Sequence, residues 1–182
     1  MTKKKNILLV FGTRPEVIKM APVVKEFRKF PGRFNTKVCV TGQHRQMIDP
    51  LLKLFGIKVD VDLNLMRKNQ TLEHITTSVL HEVGMLIDQY KIDCVVVQGD
   101  TTTAMAAALA GFYKKIKVAH VEAGLRTNDK YHPYPEEINR RMIDTFSDYY
   151  FAHTQPAKQN LLKEGVKSPA IDVTGNTVID AL

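Results

Sequence analysis

The sequence predicts an α/β fold, a doubly wound parallel sheet, from three observations. Short β-rich apolar runs alternate with helical patterns along the whole chain, the pattern of strands joined through crossover helices. The runs at 7–11 and 94–97 are almost continuously apolar, as expected where both faces of a parallel sheet are covered. The chain has 182 residues, 44% apolar and 25% charged. That is an ordinary globular balance, and a length that buries roughly 70% of the unfolded surface without a disulfide or metal staple.

Each element has its own grounds. The first strand is 7–11. The segment Met1-Thr-Lys-Lys-Lys before it is basic like the start of a secretion signal, but the apolar run is too short for one and passes straight into a Gly turn. A helix over 16–29 follows. Thr13 as N-cap, Pro15 in the first turn and Glu16 at N3 form a capping-box start. Pro22 is expected to break or kink this helix after one turn, because it lacks an N–H and crowds the turn before it. Strands at 37–41 and 59–63 flank a helix at 46–55, and a helix at 71–90 leads to the strand at 94–97. Asp100 is placed to cap the next helix, 101–113. After a strand at 117–120, Pro135 is placed at the first position of a helix over 136–146. A strand at 149–152, a helix at 156–164 closed by Gly165 as the C′ residue, and a strand at 170–173 complete the series.

The chain then turns at Gly175-Asn176 and stops where a helix begins. About two turns of helix are not stable without packing partners. The expectation is therefore one domain over 1–174, with 175–182 the start of a crossover toward a missing second domain.

Composition removes several classes. The longest apolar stretch, near 104–113, is too short to span a bilayer. Cys39 and Cys94 lie inside apolar runs and form no Cys-x-x-Cys pair. They read as structural buried thiols of a reducing compartment, and the cytoplasm is the default location. Asn69-Gln70-Thr71 fits a glycosylation sequon, but without a secretory signal it carries no meaning. Lys plus Arg exceed Asp plus Glu by 26 − 19 = 7. That sign suits an anionic ligand (nucleic acid, phosphate or nucleotide), and equally a soluble protein with no special partner. Nucleic acid is the weakest of these: the aromatics are not interleaved with the cations, no recognition motif is present, and Lys3 to Lys5 supply much of the excess.

Four polar groups of residues follow predicted strands. Gly12-Thr13-Arg14-Pro15-Glu16, with Lys19 a turn later, combines a close-approach glycine, a helix N-terminus and two cations, an anion site. The alternative is a capped turn with solvated cations. The segment has neither the Gly-x-Gly-x-x-Gly of nicotinamide folds nor a P-loop Gly-Lys-Ser/Thr. Gln98-Gly99-Asp100-Thr101 puts a carboxylate at a strand's carboxyl end, where such sheets bind ligands. In His120-Val121-Glu122, His120 and Glu122 point to one side if the strand continues. His-x-Glu also opens the zinc deaminase signature, but no Pro-Cys-x-x-Cys follows and the six His show no ligand spacing, so no metal is expected. In Pro133-Tyr134-Pro135-Glu136-Glu137-Ile138-Asn139-Arg140-Arg141, Glu137 and Arg141 read as a surface i,i+4 pair. Glu136, beside two prolines, can be aimed into a pocket. Three carboxylates beside a basic phosphate site suit proton transfer on a phosphorylated or nucleotide-linked substrate, and their crowding should raise at least one pKa.

These motifs together resemble the non-hydrolysing UDP-N-acetylglucosamine 2-epimerases of bacteria. Phe-Gly-Thr-Arg-Pro-Glu at 11–16, Gly-Asp-Thr-Thr-Thr at 99–103, His-Val-Glu-Ala-Gly-Leu-Arg at 120–126, Pro-Glu-Glu-x-Asn-Arg at 135–140 and Gly-Asn-Thr-Val-Ile-Asp at 175–180 match in order. The resemblance implies a glycosyltransferase-B-like architecture of two Rossmann-like domains, of which this chain would be the amino-terminal one. It implies interconversion of UDP-N-acetylglucosamine and UDP-N-acetylmannosamine by elimination and re-addition of UDP, without cofactor. Carried over by residue, Asp100, Glu122 and Glu136 match the catalytic carboxylates, and Arg14, Lys19 and Arg140 match substrate or diphosphate positions. Gln43, Gln46 and Arg67 match a region that binds a second UDP-N-acetylglucosamine as activator, with an ordinary polar loop as the even alternative. The resemblance also implies a homodimer, for which 71–90 and the Ala-rich 101–113 could supply a face or could equally pack on the sheet. An amino-terminal domain of a related glycosyltransferase or of a hydrolysing epimerase would share the fold, and the carboxylate trio argues against both.

Overall fold

A computed structural model of the chain describes residues 3–42, 45–65, 67 and 70–181, Arg45 and Gln46 by their backbone alone. Seven strands form one sheet: β1 (Lys5–Phe11), β2 (Phe34–Val40), β3 (Val61–Asp62), β4 (Cys94–Gln98), β5 (Lys117–Ala123), β6 (Tyr149–Ala152) and β7 (Ile171–Val173). The order is β3-β2-β1-β4-β5-β6-β7, and every pairing is parallel. The chain builds outward from β1 to β3, returns, and builds the other way from β4. The reversal falls between β1 and β4, the place where such a sheet opens a ligand crevice at its carboxyl edge.

The helices are α1 (Arg14–Arg28), α2 (Arg45–Leu54), α3 (Leu72–Tyr90), α4 (Thr102–Tyr113), α5 (Glu136–Phe146), α6 (Gln155–Lys163) and a single turn, α7 (Val178–Ala181). Alternation along the strands sorts the core into two layers. Leu8, Val10, Val95, Val97 and Val118 pack with Val79, Val83 and Leu86 of α3, the alanines of α4 and Ile143 of α5. Ile7, Leu9, Phe11, Val38, Val40 and Val96 pack with Val17, Met20 and Val24 of α1 and Ile48 and Leu52 of α2. Small residues bring α4 onto the sheet: a Cβ at Gly111 would lie 2.9 Å from Val118 Cγ2. The alanines at 104, 106, 107, 108 and 110 are at most 1% exposed, so within this chain they pack against the sheet, α3 and α5.

Several local expectations are corrected. Pro22 lies inside α1 without ending it. Burial of Val17, Met20, Ala21 and Val24 against the sheet outweighs the roughly 3 kcal/mol that an interior proline costs a helix. Asp100 does not cap α4; Thr101 does, its side chain accepting from the Ala104 N–H, which leaves the Asp100 carboxylate to another partner. Pro135 stands at the N-cap of α5, one place earlier than expected. The strand expected over 59–63 is only Val61–Asp62, whereas β5 runs on to Ala123. Thr13 as N-cap of α1 and the left-handed Gly165 after α6 are as the sequence predicts. Cys39 is fully buried but Cys94 is only partly so; desolvation pushes both thiols up to about 12, which leaves them unreactive. Among the described residues no helix is long and apolar enough to cross a membrane.

Candidate active site

The carboxyl ends of β1, β4 and β5 and the start of α5 meet at the switch point. At the end of β1 the chain approaches β2 so closely that a Cβ at Gly12 would lie 2.0 Å from Thr41 Oγ1. The Glu16 side chain turns back to accept from the N–H groups of Gly12 and Thr13 at 2.9 and 2.7 Å, and takes the Thr101 hydroxyl at 2.8 Å. It therefore ties the β1–α1 turn to the start of α4, a role beyond the capping expected of it. Burial raises its pKa against these donors. Arg14 is exposed in the first turn of α1.

Lys19 does not stand as a solvated cation. Its Nζ donates to both oxygens of Glu122 at 2.8 and 2.7 Å, and Gln98 Nε2 donates to the same carboxylate. Glu122 reaches this position through a local irregularity. The β5–β6 register shifts between Val121 and Ala123, and Glu122 has φ of 70°, a left-handed conformation uncommon outside glycine. The bulge re-aims its side chain. His120 and Glu122 consequently do not share one set of partners, contrary to simple alternation. His120 is completely buried and meets Asp144 of α5, while Glu122 meets Lys19 of α1.

Asp100, just past β4, pairs with Arg140 of α5 at 2.6 Å. Its pKa is raised: burial is the largest cause, Arg140 opposes it, and Glu122 and Glu136 reinforce it. The expected crowding of three carboxylates is thus present, and Asp100 carries its effect. Arg140, the i,i+4 partner of Glu136, donates from Nε to the Glu136 backbone carbonyl at 3.3 Å, while Nη2 of its guanidinium turns to the Asp100 carboxylate. Glu136 Oε2 is buried without a hydrogen-bond partner among the described residues, an acceptor beside the other two acids.

Glu137 corrects another expectation. It is fully buried, not at the surface, and accepts from the backbone N–H groups of Thr127 and Asn128 at 3.0 and 3.1 Å and from Arg141 Nε at 3.0 Å. Burial alone would raise its pKa; these donors hold it low. It pins the loop that delivers Glu136. Asn139 Nδ2 donates to the Asp100 carbonyl at 2.9 Å. Asp144 accepts from His120 Nδ1, Arg126 Nη2 and the Gly124 N–H at 2.6, 2.7 and 3.2 Å. Gln98, Asn139 and Asp144 were not singled out in the sequence, although the i,i+4,i+8 spacing of Glu136, Arg140 and Asp144 puts all three on one helix face.

Asp100, Glu122, Glu136, Lys19 and Arg140 are therefore brought together, with Arg14 on the rim. Of the activator candidates, Gln43 and the Gln46 side chain lie outside the described residues, and Arg67 is exposed. No cluster of His, Cys, Asp and Glu suited to a metal occurs among the described residues. Two acids paired with cations and a third with one buried oxygen unpartnered among the described residues can give and take protons beside an anion.

Residues 25–182 match the family model described as UDP-N-acetylglucosamine 2-epimerase. The UDP-N-acetylglucosamine 2-epimerase of Neisseria meningitidis serogroup A is 54% identical over 177 residues, 97% of this chain and 47% of that protein. That of Bacillus subtilis is 54% identical over 180 residues, 99% of this chain and 47% of its own. The crystal structure of the Neisseria meningitidis enzyme bound to UDP-GlcNAc has a TM-score of 0.94 at 53% identity, covering 97% of this chain and 47% of that one. Acinetobacter baumannii MurG, with a TM-score of 0.65 at 15% identity, shares the fold alone. The chain spans about half the length of the curated relatives it matches.

Proposed function

The chain belongs to the UDP-N-acetylglucosamine 2-epimerase family, and from that premise we propose that the whole protein carrying it interconverts UDP-N-acetylglucosamine and UDP-N-acetylmannosamine in the cytoplasm, as a non-hydrolysing epimerase. The observation that carries the proposal is the convergence of Asp100, Glu122 and Glu136, with Lys19 and Arg140 between them. In this reading residues 1–174 form a Rossmann-like domain carrying the carboxylate wall of the crevice, and 175–182 lead toward a second domain.

The chemistry fits that set of groups. The proton on C2 of the sugar is weakly acidic, so its removal must be coupled to departure of an anionic leaving group. A carboxylate takes the C2 proton, the electron pair forms the C1–C2 double bond, and the C1–O bond breaks with its pair leaving on UDP. Re-addition of UDP at C1 with protonation of C2 from the opposite side gives the epimer. The two steps balance without oxidant or reductant, and no cofactor is called for. Asp100, Glu122 and Glu136 supply the acid and base groups. Lys19, Arg14 and Arg140 take the charge of substrate and diphosphate. Lys19 holds Glu122 and stands in α1, five residues after Arg14 at its start, where a phosphate would sit.

Gln43, Gln46 and Arg67 are the proposed contacts for a second UDP-N-acetylglucosamine acting as activator. A homodimer is proposed for the whole protein, with Met85 and the exposed Phe112 and Tyr113 the apolar groups that α3 and α4 leave for it. Product analysis separates the proposal from its closest rival. Incubation of the whole protein with UDP-N-acetylglucosamine is expected to yield UDP-N-acetylmannosamine with the diphosphate intact. Release of free N-acetylmannosamine and UDP would make it a hydrolysing epimerase instead.

A further inference from the structure

We propose that His120 is a positioning residue that holds Asp100 from beneath, through the Gly99 peptide; the assignment rests on Asp100 being one of the reacting carboxylates. Gly99 makes the sharp turn out of β4, with φ of 70°, and its carbonyl lies 2.7 Å from His120 Nε2. A carbonyl oxygen and the Asp144 carboxylate both only accept, so both ring nitrogens carry protons, Nε2 donating to the Gly99 carbonyl and Nδ1 to Asp144. The next carbonyl, that of Asp100, accepts from Asn139 Nδ2, and the Asp100 carboxylate meets Arg140. Three successive polar groups at 99–100 are thereby gripped by β5 and α5. Both elements also contribute the other two acids, Glu122 and Glu136.

The imidazole itself cannot turn. Its Nδ1 is 2.6 Å from Asp144, whose second oxygen is occupied by Arg126 and the Gly124 N–H. His120 is wholly buried, so rotating the ring would strand two polar groups with no water to replace their partners. It moves no proton in the reaction. Its effect is to fix where the Asp100 carboxylate stands, and misplacement by about 1 Å can cost on the order of 10²-fold in rate.

The two amide side chains divide the ring between them. Glutamine puts its amide nitrogen at the place of Nε2, asparagine at the place of Nδ1. In the whole protein, His120→Gln is expected to keep kcat within a few-fold of the unmodified enzyme. His120→Asn is expected to lose on the order of 10²-fold in kcat with KM nearly unchanged. Equal losses in the two variants, losses that follow thermal stability, or a loss confined to KM would overturn the assignment. Should neither variant fold, the 15N spectrum of the unmodified imidazole decides: a protonated Nε2 supports the bond to Gly99, and an unprotonated one removes it. Absence of epimerisation by the unmodified protein would overturn the reading of Asp100 and the positioning role with it. The ring spectrum, which needs no activity, tells that failure apart.

Discussion

Asp144 shows how one buried charge is made tolerable and what it contributes. Burial by itself would raise its pKa, but His120 and Arg126 together lower it below the ordinary aspartate value. A carboxyl group whose folded pKa is depressed adds stability above its unfolded pKa, about 3.9, and loses it as pH falls through the folded value. Asp100 and Glu16, both raised, act with the opposite sign: their contribution is present below the unfolded value and lost as pH rises through the folded one. Asp144→Asn leaves Arg126 and His120 without their shared anion, and a broken buried pair typically costs about 3–5 kcal/mol. Urea unfolding should show a loss of that size near neutrality, shrinking as pH falls through the Asp144 transition. An equal loss at every pH would show that the charge of Asp144 contributes nothing and that only its shape matters.

At the scale of elements, the turn after β5 is built by close approach. Gly124 has φ of 82°, and a Cβ there would lie 2.3 Å from the Ala157 carbonyl oxygen in α6. Gly124→Ala should therefore destabilise the protein by at least about 2 kcal/mol, from overpacking and from the left-handed backbone together. The urea midpoint is expected to fall with the slope unchanged; an unaltered midpoint would mean that α6 yields without cost. The elements themselves were legible because apolar periodicity is a local property. Leu8 and Val10 against Ile7, Leu9 and Phe11 place the first strand with no knowledge of its neighbours. The bulge at Glu122 was not legible, because its left-handed backbone is imposed by groups distant in sequence: Lys19, Gln98 and the pairing with β6. Glu137 misled for the same reason. Its spacing to Arg141 is that of a surface pair, and only the returning loop at Thr127 and Asn128 buries it. Continuity of α1 through Pro22 likewise reflects packing that outweighs a local penalty.

For the whole molecule, the switch of strand order between β1 and β4 collects the site from segments as far apart in sequence as Lys19 and Arg140. The sequence singles out Asp100, Glu122 and Glu136 because each stands after an expected strand or at the start of an expected helix, although β5 in fact runs on through Glu122. Their partners were harder to read, since the cation that each acid meets depends on the crossing of α1 and α5 over that edge. The central claim is that this carboxylate cluster moves the proton at C2, and deuterium exchange tests it most directly. The whole protein, incubated with UDP-N-acetylglucosamine in deuterated water, should place deuterium at C2 of the UDP-sugar pool, and Asp100→Asn should slow that incorporation on the order of 10²–10⁴-fold. Epimerisation without deuterium at C2, or incorporation by Asp100→Asn at the unmodified rate, would contradict the account.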